Sequence, residues 1–181
     1  MSTGTRTLVR NIPLPEANLL AIALGAMLQR LLPLRVPGVP AARRVAGAAL
    51  ICIGTGVAAA AVASAKDVEL ADADRLVVTG VYARSRNPMY VGWALLHAGF
   101  GVAAGSGWVL VTLLAASGRV HREVLAEERV LSSRFPVEYS SYAATAPRYV
   151  PRLGRLSLGR VLPGRTEEPG PEPPATGTRV P

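Results

Sequence analysis

The sequence predicts an all-α protein, a polytopic membrane helical bundle of about four membrane helices that include a helical hairpin. Three observations lead there. Half of the 181 residues are hydrophobic, yet only 5% are aromatic, so the apolar mass is Ala, Val, Leu and Gly, the mixture that lets helix backbones approach in lipid. Apolar runs recur along the chain, divided by turns and by one long polar connector. The net charge of +8 is carried almost wholly by arginine, Lys66 being the one lysine, and it sits beside the apolar runs, as charge facing an anionic membrane surface does.

Taken in order, Arg6 and Arg10 precede "PEANLLAIALGAMLQRLLPL", residues 15 to 34. Arg30 interrupts the apolar stretch and no small-x-small cleavage site follows it, so the segment reads as a retained first helix and not a secretory signal. "VPGVP" makes a turn, and Val45 to Ala65 is a run of about twenty residues, enough to cross the ~30 Å hydrocarbon layer. Residues 1–65 are thus two N-terminal membrane helices. The connector 66–87 carries four acids and four basic residues, and an ordered loop of that length is usually functional. Pro88 opens a third run to Ala104, "GVAAGSG" turns the chain, and Trp108 to Ser117 begins a fourth. Each is shorter than a full span, so 88–135 reads as a tilted or partly embedded hairpin. Val120, Val124, Leu125 and Leu131 keep helical spacing, carrying the fourth helix out of the bilayer as an amphipathic extension that ends at Pro136. Residues 136–162 are an interfacial segment dotted with aromatics. The tail 163–181 is rich in Pro, Gly and charge, the composition of a disordered segment.

Orientation follows from arginine. With both ends cytoplasmic, the N-terminus, the 66–87 loop and the C-terminal part hold sixteen of the twenty Lys and Arg, which places that loop on the cytoplasmic side of an inner or plasma membrane. Arg30, Arg35, Arg43 and Arg44 oppose the bias. No nucleic-acid motif appears, so nucleic acid is not an expected partner. One cysteine, Cys52, and two histidines, His97 and His121, without a local pairing pattern leave no metal site to expect.

The chemistry-bearing stretch is "TGVYARSRNPMYVGW", residues 79 to 93. Asn87 followed by Pro88 reads as an N-cap and first helical residue. By itself that is a capped helix with Arg84 and Arg86 on anionic lipid. The downstream "EERVL" adds to it. A hairpin turning near Ser106 sets Pro88 opposite residue 124, with Glu127 about 5 Å further out at 1.5 Å per residue. Asn87, Tyr90, Glu123 and Glu127 then face one cleft on the cytoplasmic side. Carboxylates at a bilayer boundary call for partners: Arg84, Arg86, Arg119 or a ligand cation. A structural ion-pair cluster stays open as the alternative.

"RLVVTGVYARSRNPMYVGW", "EERVLSSRFPVEYSSY" and "VPRL" resemble the isoprenylcysteine carboxyl methyltransferase and phospholipid methyltransferase family of integral membrane enzymes, over roughly residues 70 to 153. The resemblance implies S-adenosyl-L-methionine as cofactor, held by the loop, the first turn of the hairpin and the glutamate pair. It implies Leu76, Val77 and Tyr82 on the adenosine side, Asn87, Pro88, Met89 and Tyr90 lining the first turn, and Glu127 on the methionine amino group. A membrane lipid or other lipidic molecule is the implied substrate. Glu123 stands where the prenylcysteine enzymes carry an arginine for the substrate carboxylate; Arg119 or Arg122 would substitute as substrate-binding residue. Asn87 and Pro136 replace a histidine and a glycine common in the family. Two further classes stay open: an NADPH-dependent membrane reductase of the steroid-reductase type and a non-catalytic membrane scaffold.

Overall fold

Pro40 and Pro88 each occupy the first turn of a helix, where a missing N–H leaves no hydrogen bond unmade. They help divide the chain into five helices, with no strand among the described residues of the computed structural model, which are 15–65 and 75–150. Arg6 and Arg10, the acids of the 66–87 connector and the tail from 163 lie outside these residues. The helices are α1 (Glu16–Leu31), α2 (Pro40–Ser64), α3 (Pro88–Ala104), α4 (Gly107–Arg134) and α5 (Pro136–Thr145), with a short 3-10 helix at Gly80–Ala83. The sequence read Pro136 as a stop; it is also the first residue of α5, because Phe135 leaves the helical region (φ −131°, ψ 64°) and the chain restarts at once.

α2 packs along α3, α3 on α4, and α4 on α1. The α2–α3 seam is made by absence of side chain. Gly47, Gly54 and Ala61 recur every seven residues on α2, opposite Gly92 and Gly99 on α3, the heptad spacing that keeps one stripe facing a partner helix. A Cβ on Gly54 would lie 2.7 Å from the Gly92 carbonyl and 2.9 Å from the Leu96 nitrogen, and one on Gly92 would lie 2.9 Å from the Gly54 carbonyl. The two backbones touch, as small residues permit between membrane helices. α1 meets α4 in the same way at Gly25, whose Cβ would sit 2.8 Å from both the Thr112 hydroxyl and Val109 Cα.

The hairpin bends at Gly105, a left-handed residue (φ 63°) that caps α3, and at Ser106, whose hydroxyl accepts from Val109 N at 3.3 Å. The first loop docks on this bend: Val36 N donates to Gly105 O at 3.0 Å and Gly107 N to Leu34 O at 2.7 Å. Both turns therefore share one end of the bundle. Arg43, one of the arginines that opposed the expected orientation, serves here as a clip, donating to the carbonyls of Val36 and Gly38 at 2.7 and 2.8 Å.

At the other end lie the starts of α1 and α3, the end of α2, and an overhang. α4 has 28 residues against 17 for α3, so about three of its turns project past the first turn of α3. Of the four expected spans, α2 is, among the described residues, the helix long and apolar enough to cross a membrane: 25 residues, with an 18-residue stretch whose mean hydropathy is 2.1. The outer surface is apolar: Leu20, Leu24, Ile53 and Leu114 are 71%, 47%, 55% and 74% exposed. Large exposed apolar side chains in such number suit a surface for lipid or for another protein.

Candidate functional site

The overhang brings the two distant stretches together. Tyr90, in the first turn of α3, donates its hydroxyl to Glu127 Oε1 of α4 at 2.7 Å. Three glutamates on α4 meet three different fates. Glu123 is paired by Arg119 one turn back, Nε to Oε1 at 2.7 Å. Glu128 is held from both sides, by Arg86 at 3.2 Å and by a two-pronged contact from Arg148 at 3.0 and 2.7 Å. Glu127 has the Tyr90 hydroxyl and, among the described residues, no cation.

The surroundings sort these carboxyls further. Burial pushes the Glu127 carboxyl above its ordinary value and the charge of Glu123 adds to this, while the Tyr90 hydrogen bond pulls the other way; the net is upward although one side of the residue meets solvent. For Glu128 burial also pushes upward, but the Arg148 hydrogen bond and the charges of Arg86 and Arg148 outweigh it, and its carboxyl lies below the ordinary value. Among the described residues Glu127 is therefore a carboxylate short of a cation, and Glu128 one already satisfied. The Tyr82 phenol is raised to about 12, first by burial and then by the charge of Glu127, which puts Tyr82 within the electrostatic reach of that carboxylate.

Beneath these groups is a small core of Ala61, Ala65, Tyr82 and Met89, with Val77 and Trp93 packed against it. Leu76 is half-buried beside Val77, and Pro88 is buried at the head of α3. Asn87 stands at the N-cap position as expected but makes no side-chain cap. Its Nδ2 instead donates to the carbonyl of Arg148 at 3.0 Å. That carbonyl arrives from residues 147–149, which cross over the loop before α3: Arg86 N donates to Pro147 O at 2.9 Å. The strap is completed by Tyr149, whose hydroxyl lies 2.8 Å from His121 Nδ1, and by Tyr142 of α5, which donates to Tyr82 O at 2.8 Å.

Of the sequence-derived candidates, Val77, Tyr82 and Met89 gather on one core, and Tyr90 and Glu127 meet directly. Asn87 reaches the strap and not Glu127. Arg119 is engaged by Glu123, and Arg122 is exposed and joins none of these contacts. Sequence reasoning missed Glu128, Arg148, Tyr142 and Tyr149, and Tyr139 of α5, whose hydroxyl accepts from Arg86 Nη1 at 3.0 Å, as the groups that close over the loop before α3. Adjacent glutamates in "EER" were the available signal, since neighbours on a helix point about 100° apart and cannot serve one partner.

A cavity of ≈ 370 Å³ opens from this end between α1, α3 and α4. Tyr90, Arg119 and Glu123 stand on its polar side, and Leu20, Ala21, Trp93 and Ala116 on its apolar side. Among the described residues no cluster of His, Cys, Asp or Glu could hold a metal.

A helical bundle with large apolar side chains on its outside, and with carboxylates, tyrosines and a cavity of mixed polarity gathered at one end, has the character of a membrane-associated protein. The chain belongs to the phospholipid methyltransferase family, whose model matches residues 42–137, just over half of its length, from α2 through the start of α5. Its class of activity is accordingly that of a membrane methyltransferase. No curated protein and no solved structure matches the chain.

Proposed function

We propose that this protein is an S-adenosyl-L-methionine-dependent methyltransferase of the polytopic membrane type, its site on the cytoplasmic face of an inner or plasma membrane, acting on a lipidic or isoprenoid-type acceptor. The observation that carries the reading is Glu127, a carboxylate with no cation among the described residues, beside Tyr90 and within reach of Tyr82. The cofactor is cationic at its amino group and its sulfonium, which suits a carboxylate and aromatic faces. Its adenosine carries no phosphate. A phosphate-bearing cofactor such as NADPH would face Glu123 and Glu127, while Arg86 and Arg148 are held by Glu128.

In this reading Leu76, Val77 and Tyr82 form the adenosine wall, Asn87, Pro88, Met89 and Tyr90 the floor at the first turn of α3, and Glu127 receives the amino group. Bound there, the cofactor supplies an electrophilic methyl group on sulfur. The chain's contribution is positional. Tyr90 and the 147–149 strap fix Glu127 and the loop before α3, and the cavity admits an acceptor from between helices, its chain toward Leu20, Ala21 and Ala116 and with Arg119 on the polar wall. Holding two reactants at attack distance accounts for many orders of magnitude in rate without a metal or a covalent intermediate. An acceptor that is already an anion needs no base from the protein.

Titration calorimetry of the purified protein with S-adenosylhomocysteine and with NADPH tests this. Binding of the first alone is expected; binding of NADPH alone would make the protein a reductase, and binding of neither a scaffold. Glu127→Gln is expected to weaken S-adenosylhomocysteine by more than about tenfold, the loss of a hydrogen bond to a charged group. Unchanged affinity would remove Glu127 from the site.

A further inference from the structure

The cavity carries on its wall polar groups that the reading above does not use: Glu16, the indole N–H of Trp93 and Asn18. Asn18, in the first turns of α1, lines it and is 5% exposed. One end of its amide lies 3.1 Å from His97 Nδ1, and the other end has no partner among the described residues. His97 is wholly buried in α3, and its second nitrogen, Nε2, lies 3.0 Å from the carbonyl oxygen of Val109 on α4.

Hydrogen-bond bookkeeping fixes this chain of groups. A carbonyl oxygen can only accept, so Nε2 carries the proton. An imidazolium would carry a second one on Nδ1. No carboxylate among the described residues contacts the ring, and an unpaired buried charge costs several kcal/mol, so the ring is neutral and Nδ1 is an acceptor. Two acceptors do not bond. The amide end beside Nδ1, placed as the oxygen, must then be the NH2, since the two ends of an asparagine amide are interchangeable in shape. Turned in this way, the amide leaves its carbonyl oxygen without a protein donor, in a residue on the cavity wall.

We propose that Asn18, oriented by His97, presents its carbonyl oxygen to the cavity as a hydrogen-bond acceptor that selects acceptors carrying an O–H or N–H group on an apolar chain. The proposal rests on the methyltransferase reading for the role of the cavity, and it names the acceptor class that reading leaves open. Asn18 supplies the hydrogen-bond acceptor, so an alcohol, amine or amide is favoured over an ether; Glu16 and Glu123 outnumber Arg119, which Glu123 holds, on the same wall, and that balance of charge disfavours a carboxylate.

Trp93 lines the cavity and Trp108 lies at the far end beside Leu32, so Trp108→Phe leaves a single tryptophan that reports occupancy. Farnesol, farnesyl methyl ether and farnesoic acid, three probes sharing one chain, are titrated into this protein in nanodiscs. Farnesol is expected to bind about fivefold more tightly than the ether, the worth of one hydrogen bond near 1 kcal/mol, and more tightly than the acid. Asn18→Leu is expected to erase the alcohol-over-ether preference and Glu123→Gln to retain it. Equal binding of alcohol and ether, tighter binding of the acid, or a preference that survives Asn18→Leu would overturn the proposal. A measurement on the unmutated side chains is independent of how the Leu variant folds: 15N histidine spectra should show His97 as the neutral Nε2–H tautomer from pH 6 to 8. An Nδ1–H tautomer or an imidazolium would equally overturn it. S-adenosylhomocysteine binding, measured on the same preparations, tests the methyltransferase reading separately and is expected to be unchanged in Asn18→Leu.

Discussion

Glu128→Gln is the substitution that most directly tests how the site is closed. The carboxylate is 13% exposed and holds two guanidinium groups, Arg86 at 14% and Arg148 at 37% exposure. Gln keeps the shape and one acceptor oxygen but loses the charge and the two-pronged geometry. Removing one partner of a buried pair costs about 3–5 kcal/mol because the remaining charge is stranded, and the half-open position of Arg148 reduces this toward about 3 kcal/mol. The loss falls on the strap, since Arg148 belongs to residues 147–149 and Arg86 to the loop they cross. At 1.4 kcal/mol per factor of ten, the strap-open population should rise about a hundredfold. Hydrogen exchange reads it at one amide: Arg86 N donates to Pro147 O, so its exchange should accelerate by that factor, while amides in the α2–α3 seam such as Leu96 stay unchanged. No acceleration at Arg86, or the same acceleration everywhere, would refute the reasoning.

The same strap should loosen in acid. The Glu128 carboxyl lies below its ordinary value in the folded chain, so its stabilisation is complete above the unfolded value near 4.5 and is lost as pH falls through the folded one; the strap's protection relative to the intrinsic exchange rate should stay flat from pH 8 to 5 and fall below about 4.5, and a fall at neutral pH would contradict this. Glu127 has the opposite sign, with its folded value raised: ionising it costs stability, so Glu127→Gln should melt no lower than the parent without ligand even though it binds S-adenosylhomocysteine poorly, and a lower melting temperature would show a structural carboxylate. Gly54→Ala drives a Cβ against the Gly92 carbonyl and the Leu96 nitrogen, backbone that cannot turn aside, and should cost about 1–3 kcal/mol in reversible unfolding, whereas Gly56→Ala, with open space around it, should not destabilise.

The helices were legible because their signals are local. Prolines at helix starts, a glycine at the bend, Ala and Gly in α2 and apolar runs of the right length are properties of neighbouring residues, and α2, α3 and α4 lie where those patterns stand. The meeting of Tyr90 with Glu127 was also readable, since a hairpin with a known bend is a ruler: residues equally far from Ser106 lie opposite one another.

What the chain order could not supply was the pairing of helices and the assignment of charges. α1 precedes α2 but packs on α4, a choice made by the surface that Gly25 opens against Val109 and Thr112. Glu123, Glu127 and Glu128 are alike in sequence and differ only in what approaches them: Arg119 from one turn away, a tyrosine from α3, and two arginines from segments twenty and forty-two positions distant. Composition and periodicity determined a close-packed helical protein suited to lipid, because backbone hydrogen bonding and apolar burial act over a few residues. Which carboxylate is left without a cation among the described residues was decided only in three dimensions, because an ion pair depends on the distance between groups and takes no account of how much chain lies between them.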